Sequence, residues 1–358
     1  MLSEIGSDFW QFDVKDGENT FWWETEGYFY EFFKSGRNAI KALCQILNMT
    51  NKTVLLPIYT CESVICPFVE EGWKFCFYNV TKELQIDVDS LERAFNAVHP
   101  DVIFFHGYFG FDTTRSAVDA LKSCQNKGCI LVEDITSNFL SDNRTDFADY
   151  YISSLRKFFA IPDGGILVGK TELPSLKIAD ASKLMVEKAV LAYDAKSSYF
   201  IAPSKEKKLQ FKNLYTEFHN EIEINDKLYC MSLKSKEIIK RIDIEKIREK
   251  RQNNYKQLYD VLWDIKSIVP VLGICTDNIT PLFLPIYYDG NRAELQSFLA
   301  DNDIYCPVIW PEPSQIVIRD DITRKIYENM LCIPIDQRYG VDEMNWIIHI
   351  LNLFQQCE

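Results

Sequence analysis

Between residues 35 and 170 the chain alternates short apolar runs with amphipathic stretches, and no other feature restricts its fold as much. Ser35-Gly36-Arg37-Asn38 opens a stretch in which Ala39, Ile40, Ala42, Leu43, Ile46 and Leu47 recur at helical spacing. Residues 53–57, 74–78 and 101–105 and the run ending at Asp134 read as strands; residues 61–71, 88–98 and 114–126 read as the helices between them. Asp87 opens one helix and Gly72 closes another, as caps do. Strands of this kind, separated by helices, build a mostly parallel sheet covered on both faces.

Two polar residues interrupt the apolar runs. One run, residues 129–134, ends on Asp134; the next, Tyr150-Tyr151-Ile152-Ser153-Ser154-Leu155-Arg156, leads into Lys157. After Lys157 come Phe158-Phe159 and then Gly164-Gly165 before a third run, Ile166-Leu167-Val168. Ligands of α/β sheets bind at the strands' carboxyl ends, where both Asp134 and Lys157 are expected. A lysine desolvated beside two phenylalanines loses basicity and becomes nucleophilic. A carboxylate beside it suits the nitrogen of a pyridinium ring. The pair therefore points to pyridoxal 5'-phosphate, held as a Schiff base on Lys157. Taken singly, each residue has a plainer role: a solvated surface lysine, and an aspartate capping the next helix.

Other residues fit the same site. The helix opened by Ser35-Gly36-Arg37-Asn38 presents free amides and a positive dipole end, which bind phosphate; an ordinary serine cap is the alternative. Ser153 and Ser154 could donate hydroxyls to that phosphate. Tyr59, Cys61 and Tyr108 follow strand ends on the same edge, and one of them could cover a flat ring.

Composition sets bounds. With 358 residues the chain has room for a large domain and a smaller one. A net charge of -13 argues against nucleic-acid and membrane-surface partners, which need clustered cations. Eleven cysteines with no C-x-x-C pair fit free thiols in a reducing compartment. The first residues lack the basic and apolar regions of a signal peptide, and no run is long enough to span a membrane, so a cytoplasmic location is expected. Residues 1–33 form an unusually aromatic arm, suited to core packing or to a subunit interface. Beyond residue 170, residues 178–194 and about 203–262 read as helices, with residues 236–262 a long amphipathic stretch free of Pro and Gly. The tail then reads as strand 281–288, helix 292–302, strands 304–309 and 330–335, and helix 341–356, a small α+β unit.

Taken in order, these pieces resemble the DegT/DnrJ/StrS aminotransferases, fold-type-I pyridoxal-phosphate enzymes, from about residue 30 to 355. The resemblance rests on Ser-Gly-Arg-Asn-Ala-Ile at 35–40, Pro57 through Ile65, Gly72 with Phe77-Tyr78-Asn79-Val80, Tyr108 with Gly110, Glu133-Asp134, Ser153 to Lys157, Pro162-Asp163-Gly164-Gly165, Met231-Ser232, Arg251 with Tyr255, and Leu282 through Trp310. It implies a large domain, residues 1–235, with a mostly parallel seven-stranded sheet, and a small α+β domain, residues 236–358. It implies Lys157 and Asp134 as catalytic residues. Gly36, Arg37, Asn38 and Ser153 or Ser154 would form the phosphate cradle, with Tyr59, Cys61, Tyr108 and Ser137 around the ring. It further implies a homodimer that takes an amine from a small-molecule donor such as glutamate to a keto acceptor, for example a nucleotide-linked keto-sugar for surface polysaccharide. A lyase or dehydratase on the same fold, or a binding protein without turnover, are the alternatives. The chain departs from the family at Cys61, where an aromatic is common, at Ser137, where His or Gln is usual, and in Asn225-Asp226-Lys227-Leu228-Tyr229-Cys230, where an N-x-R stretch normally precedes Met-Ser. Arg156, beside Lys157, is expected to face away from the pocket if Lys157 faces in.

Overall fold

In the computed structural model, which describes residues 4–357, the chain begins with strand β1 (Ile5–Gly6), a short helix α1 (Trp22–Thr25) and strand β2 (Phe29–Phe33). The alternating region follows as α2 (Gly36–Ile46), β3 (Thr53–Pro57), α3 (Glu62–Glu70), β4 (Lys74–Tyr78), α4 (Val88–Val98), β5 (Val102–His106), α5 (Val118–Asn126), β6 (Ile130–Asp134), β7 (Tyr150–Ser154) and β8 (Gly165–Gly169). Strands β2 to β8 form one seven-stranded sheet in the order β2-β8-β7-β6-β5-β3-β4. Only β8 runs against its neighbours. The expected α/β architecture with a mostly parallel sheet is what the chain adopts.

The strand order places the site. From β3 the chain steps outward to β4, then returns past β3 to lay down β5, β6 and β7 on the other side. The order reverses between β3 and β5, and such a reversal opens a crevice at the strands' carboxyl ends. The residues just past β3, the end of β5 and the end of β6 all meet there. His106 and Asp134 are register partners on β5 and β6, so their side chains stand on one face of the sheet. Central strands are buried on both faces, which is why Val102-Ile103-Phe104-Phe105 reads as a continuous apolar run.

Part of the aromatic arm packs into the core. Phe33 and Trp23 are buried, and Trp23 stacks on Phe21 with ring centres 4.5 Å apart. Phe12, Phe29 and Tyr30 remain exposed. The arm also supplies an unforeseen edge strand, β2, paired antiparallel to β8.

The second half departs further from the sequence reading. Helices α6 (Lys183–Ile201) and α7 (Lys205–Glu223) form a hairpin with its own core of Met185, Ala189, Ala192, Phe211, Tyr215, Phe218 and Ile222. Helix α7 stops at Glu223, and residues 224–232 leave the helix, with Cys230 bridging Phe33 and Tyr229 bridging Ala179. The long stretch expected over 236–262 is two helices, α8 (Leu233–Arg241) and α9 (Ile244–Leu262). The break has a tertiary cause. Residues 13–15 pair with residues 241–243 through Lys15 N–H to Arg241 C=O at 2.9 Å and Asp243 N–H to Asp13 C=O at 3.0 Å. Asp243 then caps α9, its carboxylate accepting from Lys246 N–H.

The rest is β9 (Ile268–Pro270), β10 (Leu284–Tyr288), α10 (Arg292–Asp301), β11 (Ile304–Tyr305), α11 (Asp321–Asn329), β12 (Met330–Ile333) and α12 (Val341–Cys357). Strands β12-β10-β9 make a small antiparallel sheet. Helix α11 was not foreseen, and the strand expected over 304–309 ends at Tyr305, where it pairs with β1. The chain's first strand therefore packs on its C-terminal part. No described helix is long and apolar enough to cross a membrane, and the ten described cysteines are free thiols.

Candidate active site

A cavity of about 960 Å³ opens at the carboxyl edge of the main sheet. Its floor is the turn after β7 and the loop after β6. One wall is the C-terminal unit around Trp310. Its roof is the α6–α7 hairpin together with residues 6–9.

Lys157 ends a single 3-10 turn, Leu155–Lys157, that leaves β7. Its side chain is exposed to the cavity that it helps to line. No described residue gives its amine a hydrogen bond or ion pair. Burial holds the amine below its ordinary lysine pKa, and the neighbouring Arg156 charge pushes the same way. The Cys61 thiol and the Asp134 carboxylate are near enough to act on it in the opposite sense. Cys61, the residue before α3, is raised in turn, by burial first and by Asp134 second.

Asp134 ends β6 and is fixed from two sides. One oxygen meets His106 Nδ1 at 3.1 Å; the other accepts the Thr136 N–H at 2.9 Å. With a carboxylate beside it, Nδ1 carries the proton, so Nε2 accepts from the Thr60 hydroxyl at 2.8 Å. Thr60 and His106 are both buried. This relay, Thr60 to His106 to Asp134, keeps the carboxylate oriented yet leaves it unused acceptor positions, since a carboxylate offers about four. Neither His106 nor Thr60 stood out in the sequence. Their signal was position: both lie at carboxyl ends of strands flanking the order reversal.

The adjacent Glu133 points to the opposite face, where it accepts from Thr145 N–H at 2.9 Å, Thr145 hydroxyl at 2.6 Å and Asn138 amide at 3.4 Å. Burial pushes its carboxyl up to about 7. Two neighbouring carboxylates thus divide the work, one toward the cavity edge and one pinning the loop that carries Thr136 and Ser137.

The remaining candidates separate. Ser137 and Ser154 line the cavity with hydroxyls that no described residue engages. Ser153, one residue earlier on the strand, faces the other way; it is fully buried and its hydroxyl has no partner. Gly36 brings the start of α2 against Ser154: a Cβ there would stand 3.1 Å from the Ser154 Cβ. The side chains of Arg37 and Asn38 are engaged elsewhere. Arg37 pairs with Glu223 and reaches Ser63 Oγ at 3.2 Å. Asn38 donates to Asn225 Oδ1 at 2.6 Å and accepts Tyr229 N–H at 2.7 Å. Lys34, just before α2, and Lys41, on α2, hold the Ile224 and Asn225 carbonyls. These residues clamp the loop after α7, and only backbone amides of α2 remain for an anion. Tyr59 and Tyr108 are buried with ring centres 5.4 Å apart, and Tyr108 donates its hydroxyl to the Tyr59 carbonyl at 2.5 Å. Neither presents a face to the cavity; Trp310, packed on Tyr59 at 5.2 Å and His106 at 5.4 Å, does. Arg156 lines the cavity alongside Lys157, contrary to the expectation that it turns away.

No family model matches the sequence, and no curated protein matches it. Solved structures do. A DegT/DnrJ/EryC1/StrS aminotransferase from Brucella abortus superposes with a TM-score of 0.64 at 14% identity, over 93% of this chain and 88% of that one. The chain has the fold of these aminotransferases. Helicobacter pylori PseC, an aminotransferase involved in pseudoaminic acid biosynthesis, gives 0.63 at 14% identity, over 92% and 87%. NtdA from Bacillus subtilis with bound PMP gives 0.64 at 13% identity, over 92% and 73%.

Proposed function

We propose that this chain is a pyridoxal-phosphate-dependent aminotransferase of the DegT/DnrJ/StrS kind. The observation that carries the reading is the unpartnered amine of Lys157, of lowered basicity, in the cavity at the same sheet edge where His106 and Thr136 fix Asp134. The residues present fit the cofactor. Asp134 retains acceptor capacity for a ring nitrogen, Ser137 and Ser154 offer free hydroxyls, and the start of α2 lies so near Ser154 that a Cβ on Gly36 would stand 3.1 Å from the Ser154 Cβ. When bound, the cofactor supplies an aldehyde and an electron-withdrawing ring that together let an amine pass from donor to acceptor.

The chain's own groups do the rest. Lys157 Nζ, its basicity lowered by burial, takes and returns the proton of the donor's Cα. Asp134 holds positive charge at the ring nitrogen, and a hydrogen bond to a charged group is worth about 1.5–3 kcal/mol. His106 and Thr60 keep that carboxylate from rotating. Glutamate as donor and a nucleotide-linked keto-sugar as acceptor are part of the proposal; a sugar acceptor is supported by the sugar aminotransferase CalS13 among the similar folds. So is a two-fold homodimer, for which the exposed Phe12, Val14, Phe29 and Tyr30 of the N-terminal segment offer an apolar surface.

The test is a half-reaction. Protein loaded with pyridoxal phosphate and given glutamate should convert its visible spectrum to that of the pyridoxamine form. A spectrum that stays unchanged with glutamate and with every other common amino acid contradicts the reading.

A further inference from the structure

Resting on that reading, we propose that Arg156 is the carboxylate anchor of the site, the residue that receives an acid group of the amino donor. The argument is one of unspent charge. Four cationic side chains line the cavity, Arg156, Lys157, Arg251 and Arg338. Two are consumed by the fold. Arg338 is buried against Asp336 at 2.7 Å and caps the Ser7 and Asp8 carbonyls. Arg251 is buried on Gln337 Oε1 at 2.9 Å and the Pro281 and Leu282 carbonyls. The acids that line the cavity are spent as well: Asp8 on His219 at 3.2 Å, Glu223 on Arg37, Asp336 on Arg338.

Arg156 has none of this. No described residue gives it a hydrogen bond or an ion pair, and its Nε is buried without a partner. Its guanidinium lies over the Phe218 ring, 4.8 Å from the centroid. The ring supports one side of the guanidinium of a residue that lines the cavity. An unpaired cation half enclosed in protein is costly unless a counter-ion arrives. A guanidinium fork matches a carboxylate with two parallel hydrogen bonds. Arg156 and Lys157 are consecutive and line the same cavity, so an amino acid whose acid is held by Arg156 has its amine in the cavity that Lys157 faces. Phe218 belongs to α7, which makes the hairpin part of donor recognition and not only a cover.

Two carboxylates of glutamate could fill the place, the α-carboxylate or that of the side chain, and the experiment separates them. Wild type, Arg156→Gln and Arg156→Lys, each loaded with cofactor, are titrated calorimetrically with glutarate, a dicarboxylate that cannot react. Glutarate affinity should fall on the order of 10- to 100-fold in Arg156→Gln and less in Arg156→Lys. Cofactor content and unfolding midpoint should stay at wild-type values. The apparent dissociation constants of glutamate and alanine, read from the pyridoxamine half-reaction, then name the source. Weakening of both assigns the α-carboxylate; weakening of glutamate alone assigns the side chain. The proposal is overturned if wild type fails to bind glutarate, if Arg156→Gln binds it within twofold of wild type, or if a carboxylate-free amine weakens equally. Titration of glutarate does not depend on turnover, so a protein that binds glutarate through Arg156 but never transaminates would sink the aminotransferase reading alone.

Discussion

The floor and the roof of the cavity are built by opposite means. The floor comes from strand ends. Behind it, His106 and Asp134 are positioned by β-register, and hydrogen bonds of 2.8–3.1 Å join them to Thr60, so each group has one orientation. The roof comes from the α6–α7 hairpin, which is held by its own apolar core and joined to the α2 face through the clamp on residues 224–229. The floor fixes polar groups in place; the roof presents aromatic surface, including Phe218, and its Asp8 carboxylate meets His219 at 3.2 Å. The contrast suggests that substitutions in the floor act on turnover and substitutions in the roof act on ligand choice.

The largest effect should come from the floor. Asp134→Asn keeps the shape and removes the charge, so cofactor should still bind while the half-reaction rate falls by on the order of a hundredfold or more, for a loss of about 3 kcal/mol. A rate within a few-fold of wild type would reduce Asp134 to a structural cap. Next is Glu133, on the far face of the same strand. Its folded pKa, about 7, lies above the ordinary 4.5, so its contribution to stability is complete below about pH 4.5 and is lost as the pH rises through 7. The change amounts to about 3 kcal/mol over that window. Glu133→Gln should flatten the pH dependence of the unfolding free energy there, and a slope identical to wild type would show that Glu133 titrates normally. His106→Phe comes third. It removes the support of Asp134 but not the carboxylate itself, and the half-reaction should slow roughly tenfold while the pH profile shifts. Equal rates and an unshifted profile would break the relay. Last is the roof. Phe218→Ala removes the ring under Arg156, and donor affinity should weaken by about threefold, a cation–π contribution of about 0.5–1 kcal/mol, with the rate at saturation unchanged. A fall in the saturated rate instead would erase the distinction between roof and floor.

The sequence disclosed what depends on local pattern. The alternation over 35–170 gave the parallel sheet because strands buried on both faces must be apolar throughout, and Asp134 and Lys157 stood out as polar interruptions of such runs. What it hid depends on partners far along the chain. Residues 236–262 carry an unbroken helical pattern, and only the pairing of residues 13–15 with 241–243 explains the break. Arg37 and Asn38 sit where a phosphate cradle belongs, yet their side chains serve a loop nearly two hundred residues away. Arg156 was expected to turn from the cavity because alternate strand residues point apart; the chain has already left the strand for a 3-10 turn at Leu155, and the alternation no longer applies.

The central claim is that Lys157 is the residue that holds the cofactor. Protein incubated with pyridoxal phosphate, reduced with borohydride and digested should yield a single labelled peptide, with the cofactor on Lys157. Label on another lysine, or none at all, would contradict the account.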